Sequence, residues 1–188
     1  MHTCQVVKTD EPSNFEEAVK YKEWQDAMND EMQALVNNKT WTLVPKNKEM
    51  KPIGSKWVYK LKRNSDGSIS RYKARLVAKG YAQKYGLDYN KTFSHVARIT
   101  TIRTIIAIAA SKGWKLYQLD VKNAFLNGEL EEEIYMEQPY GYVHTKYSNY
   151  VCKLKKALYG LKQGPRAWYA KLVESLMCVG FHEVKVDP

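Results

Sequence analysis

The chain has 188 residues, 44% of them hydrophobic, which is enough to bury a core and argues against a disordered tail. Its three cysteines and four histidines are scattered without metal-ligand spacing, which argues against a zinc site or a disulfide framework and favours a reducing compartment. No apolar stretch is long enough to span a membrane, which argues against a membrane protein. The net charge of +10 lies in residues 46–91, where thirteen Lys or Arg accompany three Asp or Glu, as is typical of a polyanion-binding surface or of a solvated basic face.

The first predicted elements are a helix and a short strand. Ser13 followed by Glu16 fits a capping box, and apolar side chains then recur at helical spacing through Leu35. One helix of about 20 residues is therefore expected to end near Asn37. The β-rich run 41–44 predicts a short strand after it.

A β-hairpin is expected next. The runs 56–62 and 70–78 are rich in β-formers and flank residues 64–67, which contain an Asp-Gly pair, a strong hairpin signal. Because strand side chains alternate, basic residues two apart share a face. The hairpin should present a basic ladder: Lys60 and Lys62 share one face of the first strand, and Lys73 shares its face of the second strand with Arg71 and Arg75.

The second half of the chain predicts a helix, a strand and a further helix. Residues 100–112 place Ile and Ala at helical spacing before Gly113, which predicts a buried helix with a glycine cap. Residues 115–121 predict a mostly apolar strand, followed by a turn. A last helix should open at Pro165 and end at Gly180.

Asp120 is placed near the end of this apolar strand. An ionised carboxylate there is costly to bury, so it requires a metal ion, a salt bridge or a water-filled cleft. The ordinary alternative is an Asp that caps the following turn. The residue alone leaves both open.

The stretch from Leu119 to Gly128 resembles the first catalytic motif of reverse transcriptases, specifically those of copia-type LTR retrotransposons. The similarity runs from about Glu11 to the end of the chain, and the family more often has Ser in place of Gly164 and Pro in place of His95. The other blocks that agree in order are residues 41–44, 53–60, 71–80, 88–89, 92–94, 134–136 and 158–163.

The resemblance implies an α+β polymerase right-hand fold, with fingers, a partial palm and an incomplete antiparallel sheet packed on helices. Residues 1–10 are expected to form a flexible N-terminus, and residues 11–188 a truncated reverse transcriptase domain. Within it, about 11–95 would be fingers, about 96–127 palm, about 128–155 a return to the fingers, and about 156–188 a palm helix.

The resemblance also implies a site. Asp120 would be the catalytic carboxylate that bridges two Mg²⁺ ions, or Mn²⁺, with the Val121 carbonyl as a further ligand. Phe125 would be a steric gate against the 2′-hydroxyl of ribonucleotides, unless it is an ordinary core residue. The template and nucleotide loop would be formed by Gln163, Gly164 and Pro165. The resemblance does not decide which basic residue of the hairpin contacts the triphosphate. The nucleotide-binding residues would be Lys60, Lys62, Lys73, Arg75, Asn123, Ala124 and Phe125.

The implied function is RNA-directed DNA polymerisation. Its partners would be an RNA or DNA template with primer, dNTPs, and the integrase and RNase H parts of a parent polyprotein, without a membrane, in a cytoplasmic virus-like particle or in the nucleus. The second catalytic motif, Tyr-x-Asp-Asp, is expected beyond Pro188, so the chain alone is expected to be inactive. A non-catalytic nucleic-acid-binding relic and an inert retrotransposon-derived product are the alternatives.

Overall fold

A computed structural model of the chain describes residues 11–84, 86, 89 and 98–182. The expectations for residues 1–10, for the block 92–94, for His95 and for residues 183–188 fall outside these ranges. Among the described helices, none has the length and apolar character needed to cross a membrane.

The described chain contains four α-helices, three short 3₁₀ helices and five strands, and the strands form two antiparallel sheets. One sheet has the strand order β1-β5-β4, and the other is the hairpin β2-β3. This mixture of helices and antiparallel sheets confirms the α+β class. The elements are α1 (Phe15–Ala18), α2 (Lys22–Asn37), β1 (Trp41–Pro45), β2 (Ser55–Arg63), β3 (Ile69–Ala78), α3 (Ile99–Ser111), β4 (Glu129–Met136), β5 (Tyr150–Lys156) and α4 (Gly164–Cys178).

The prediction of one continuous N-terminal helix is wrong, because α1 and α2 are separate. Phe15 and Trp24 both pack against the core, yet nine residues of continuous helix, at about 100° each, would point them in opposite directions. The capping box also lies one position later than expected. The Asn14 side chain accepts the Glu17 N–H over 2.8 Å, and the Glu17 carboxylate accepts the Ser13 N–H over 2.8 Å.

The predicted hairpin is confirmed and is covered by α2. Trp24 contacts the rings of Tyr59 and Tyr72 edge to face, with centroids 5.3 and 4.9 Å apart. The Glu31 carboxylate of α2 accepts the backbone N–H of Leu76 over 3.2 Å. The helix therefore satisfies one N–H on the outer edge of β3, where an unpaired N–H would otherwise invite pairing with another chain.

The three-stranded sheet is joined to the hairpin by the segment before β2. Ile53 donates its N–H to the Tyr135 carbonyl and accepts the Glu137 N–H, each over 2.9 Å. Ile134, Met136, Cys152 and Leu154 from β4 and β5 are buried in the same core as the apolar face of the hairpin. The two sheets therefore share one hydrophobic core.

The helix predicted over residues 100–112 is present as α3, but the prediction that it is buried is wrong. Ile102, Ile105 and Ile106 are 40 to 55% exposed, and Ala109 is the buried residue of this helix. Gly113 has φ +65°, as the predicted glycine cap requires. The expected core face of α3 meets no covering element within the described ranges.

The predicted strand at residues 115–121 is also wrong. These residues are irregular and exposed, and Leu119 is 92% accessible. In the described part of the chain they have no strand partner, and a strand without hydrogen-bonded neighbours is not stable in water. The expectation that Asp120 lies near the end of a strand fails for the same reason.

The last helix is confirmed as α4. Pro165 lies in its first turn, and Gly180 follows its end with φ +92°. Its first half packs closely on the turn before β4, since a Cβ added to Gly128 would lie 2.7 Å from the Ala167 carbonyl carbon. The second half projects away, leaving Met177 exposed.

Candidate nucleotide site

The basic side chains of the hairpin lie together on one face, opposite the core. Cross-strand partners in an antiparallel pair project from the same side of the sheet, so the register decides which cations are neighbours. The basic face consists of the pairs Lys60–Lys73 and Lys62–Arg71, together with Arg75, which lies opposite Val58. The structure thus unites the two predicted ladders into one surface.

This basic face is poorly neutralised. Lys60 forms a 3.1 Å ion pair with Glu11, and both side chains are exposed. Partial burial and the neighbouring cations, with Arg75 and Arg71 foremost, hold the pKa of Lys73 below its ordinary value. Within the described ranges, Lys62, Arg71, Lys73 and Arg75 form no ion pair with a carboxylate. An anionic ligand would relieve this repulsion.

Arg75 connects the basic face to the rest of the site through an aromatic ring. Its guanidinium carbon lies 4.5 Å from the centroid of the Tyr159 ring, a cation–π contact. The same ring meets Phe125 edge to face, with centroids 4.7 Å apart and planes at 86°. Two predicted site residues from distant segments are therefore in contact with one intervening tyrosine.

Phe125 lies in a short 3₁₀ turn, Ala124–Asn127, that begins after Asn123. Asn123 has φ +51°, a left-handed conformation that Asn tolerates better than most residues. Asn123, Ala124 and Phe125 are all half-buried. The turn therefore places the Phe125 ring against Tyr159 while leaving the three residues partly accessible.

The predicted loop of Gln163, Gly164 and Pro165 lies beside Phe125. A Cβ added to Gly164 would lie 3.9 Å from the Phe125 ring, and Gln163 is buried while Pro165 is exposed. The Gln83 side-chain amide donates to Oε1 of Gln163 over 3.1 Å. The structure therefore brings Arg75, Phe125 and Gln163 into one region.

The structure does not bring Asp120 into a metal site. The residue and the neighbouring Val121 are exposed in an irregular stretch, and Asp120 makes no hydrogen bond or ion pair to another described residue. Among the described residues, no group of three or more His, Cys, Asp or Glu is placed so that it could hold a metal ion. Because a pair of Mg²⁺ ions needs several hard oxygen ligands, these residues do not by themselves fit two ions.

Two further residues of this region, Tyr159 and Gln83, were not predicted as site residues. The one sequence signal for Tyr159 is that it belongs to the block 158–163, which carries the family resemblance. Gln83 lies beyond the matched block 71–80, and its hydrogen bond to Gln163 joins segments remote in sequence. Neither contact has a local pattern by which it could be predicted.

The sequence of the chain matches a known family. A family model described as reverse transcriptase (RNA-dependent DNA polymerase) matches residues 38–187, so the chain belongs to the reverse transcriptase family. Members of this family generally use divalent metal ions. More particularly, the chain is similar in sequence to the reverse transcriptase part of retrotransposon Pol polyproteins. No solved structure matches the chain.

The relatives confirm the copia-type resemblance. The chain is 50% identical over 172 residues to the retrovirus-related Pol polyprotein from transposon RE1 of Arabidopsis thaliana, covering 91% of this chain and 12% of that protein. It is 46% identical over 181 residues to the Pol polyprotein from transposon TNT 1-94 of Nicotiana tabacum, covering 95% and 14%. The chain therefore spans about an eighth of the length of these relatives.

Proposed function

We propose that this chain supplies the nucleotide-binding side of a right-hand RNA-directed DNA polymerase. The observation that carries the proposal is the continuous contact from Arg75 through Tyr159 to Phe125, which joins a poorly neutralised cationic face to a half-buried aromatic turn. A deoxynucleoside triphosphate has the matching chemistry, because its phosphates are strongly anionic and its sugar is comparatively apolar at C2′.

The triphosphate is assigned to the hairpin face. Arg75 and Lys73 are its central cations, and their mutual repulsion is relieved when a phosphate lies between them. A guanidinium offers a planar fork of donors that matches two phosphate oxygens. Cations fixed in this way stabilise the charge that develops during phosphoryl transfer.

The sugar is assigned to the turn at Phe125. Its ring packs edge to face with Tyr159 and lies near Gly164, so it presents an apolar surface whose motion is restricted. A 2′-hydroxyl packed against such a surface loses its hydrogen bonds to water without gaining a partner, which selects deoxyribose. The loop Gln163 to Pro165 then lies behind the base and template.

The proposal extends to the domain layout and the partners. We assign about 11–95 to the fingers, about 96–127 to the palm, about 128–155 to a return to the fingers and about 156–188 to a palm helix. The pairing of β5 with β1 supports the return. A template with primer and the other parts of the Pol polyprotein are the expected partners, in a cytoplasmic particle or the nucleus.

Asp120 is retained as the proposed catalytic and metal-binding carboxylate, with the Val121 carbonyl beside it and Mg²⁺ as the proposed ion. The described residues supply one carboxylate in this stretch, so the ions would need further oxygen ligands from waters, from the triphosphate or from polypeptide outside the described ranges. Asp120 is also the acid that the family motif contains.

Nucleotide binding to the full chain tests the proposal. Binding of dCTP in the presence of Mg²⁺ should weaken about tenfold in Arg75→Ala, because one charge-assisted contact to phosphate is lost. Lys20→Ala, which removes an exposed cation remote from the hairpin face in sequence, is the matched control and should bind as the unsubstituted chain does. Equal affinity of Arg75→Ala and the unsubstituted chain would rule out the assigned triphosphate site.

Nucleic-acid binding without chemistry is the second candidate, favoured by the same unpaired cations. Such binding rests on phosphate contacts and falls steeply with salt. Filter binding of a primer-template at low and high salt distinguishes the two functions, in parallel with dCTP competition. A non-catalytic binder would hold the primer-template with the same affinity whether or not dCTP is present, and Phe125→Ala would leave its binding unchanged.

A further inference from the structure

Tyr159 is held in place by its backbone. Its carbonyl accepts the Ala78 N–H over 2.8 Å, which fastens it to the end of β3. The next residue, Gly160, packs so closely on β3 that a Cβ there would lie 2.1 Å from the Ala78 carbonyl oxygen. The ring of Tyr159 is thus attached to the strand that carries Arg75.

Arg75 depends on this ring for its position. It forms no ion pair within the described part of the chain, and a long arginine side chain otherwise samples many rotamers. The face of Tyr159 restricts the guanidinium through the contact at 4.5 Å. A guanidinium held before the ligand arrives loses less entropy when it binds phosphate.

Phe125 depends on the same ring. Tyr159 packs against it edge to face, and Gly164 lies near it. Because Gly164 has no side chain, it leaves the Phe125 ring free to tilt if the tyrosine is removed. The contact with Tyr159 therefore restricts how the Phe125 ring can face a sugar.

We propose that Tyr159 is a positioning residue that couples the triphosphate cation Arg75 to the sugar-facing ring of Phe125. The inference rests on the proposed function, since it assigns Tyr159 to the same nucleotide site. The aromatic ring performs this role and the hydroxyl does not, because both contacts are made by the ring. Loss of the ring should weaken triphosphate binding and deoxyribose selection together.

The test compares dCTP with CTP, which differ only at the 2′-hydroxyl, on the full chain with Mg²⁺. Tyr159→Phe should retain both the dCTP affinity and the dCTP/CTP ratio. Tyr159→Leu should lower dCTP affinity about two- to fivefold, the size of one partly exposed cation–π contact, and should reduce the ratio. Combined with Arg75→Ala, it should add no further loss of dCTP affinity, because the two residues act through one contact.

The outcomes separate the two proposals. If the unsubstituted chain shows no Arg75-dependent binding of dCTP, the proposed function is overturned and the positioning role with it. If it binds but Tyr159→Leu matches the unsubstituted chain, or Tyr159→Phe is as impaired as Tyr159→Leu, the positioning role alone is overturned. Should Tyr159→Leu lack a cooperative melting transition, Tyr159→Met, which keeps apolar volume without an aromatic face, takes its place in the comparison.

Discussion

The side-chain amide of Gln83 donates a hydrogen bond to Oε1 of Gln163 over 3.1 Å, and both residues are only 3% exposed. Oε1 of Gln83 accepts the backbone N–H of Lys162 over 3.0 Å, and its carbonyl accepts the Lys162 ammonium over 3.1 Å. Gln83, which follows β3 in the chain, therefore holds the loop that precedes α4. That loop is one border of the candidate nucleotide site.

Gln83→Leu should lower the free energy of unfolding by about 1–3 kcal/mol, because it removes the acceptor of a partly buried N–H and the donor to a buried amide. Urea denaturation measures the change. Gln33→Leu is the control, since Gln33 bonds an exposed Asn37 side chain on α2, and it should stay within about 0.5 kcal/mol. Equal stability of Gln83→Leu and the unsubstituted chain would show that this connection contributes nothing.

Gly160→Ala should be strongly destabilising, by about 3 kcal/mol or more, because the new Cβ would lie 2.1 Å from the Ala78 carbonyl oxygen and the backbone has φ +90°. Gly67→Ala is the control that isolates the cost of the positive φ angle from the cost of the steric clash. Gly67 has φ +84° with no atom within 4 Å of the place a Cβ would take, so only backbone strain of about 1–2 kcal/mol is expected. Thermal unfolding compares the stabilities of the two variants. If Gly160→Ala is no less stable than Gly67→Ala, the close packing of Gly160 against β3 is contradicted.

Stability should fall between pH 9 and pH 12 because of Cys152. Burial raises the pKa of its thiol from 9.0 to about 12. In the unfolded chain the thiol ionises near its ordinary pKa, whereas the folded chain keeps it neutral, so rising pH favours unfolding across this window. Urea midpoints at about pH 8 and about pH 10 measure the slope. Cys152→Ala should be less stable overall but flatter with pH, whereas Cys178→Ala, at an exposed site, should keep the original slope.

Binding of dCTP should take up protons at alkaline pH. Partial burial and the adjacent Arg75 hold the pKa of Lys73 below its ordinary value of 10.5, and a bound triphosphate raises it again. Affinity should therefore decline as pH rises through the lowered pKa of the free protein. Calorimetry in two buffers of different ionisation enthalpy measures the uptake. Lys73→Met should abolish the proton uptake, whereas Lys20→Met should leave it unchanged. Proton uptake that persists in Lys73→Met would show that a group other than Lys73 takes up the proton.

The parts of the fold that were predicted correctly depend on local sequence. The Asp-Gly turn and flanking β-formers fix the hairpin and its register, and Pro165 and Gly180 mark the ends of α4. The basic face followed from strand alternation, although only the register showed that both strands project their cations to the same side.

The incorrect predictions concern properties that a segment acquires from its neighbours. The Ile pattern of α3 predicted a helix correctly, but burial requires a covering element that the described ranges do not contain. The run 115–121 has strand composition without a strand to pair with in the described part of the chain. Tyr159 could not be assigned from sequence because its contacts, to Arg75 and Phe125, arise only when three distant segments meet.

The strand order β1-β5-β4 has a consequence for how the protein is made. The hairpin β2-β3 closes between adjacent segments and can form as soon as residue 78 leaves the ribosome. β1 precedes it in the chain but pairs with β5, so it stays unpaired until residue 156 has emerged. Throughout that interval the nascent chain carries an open strand edge, and pauses in translation before β5 should prolong its dependence on chaperones.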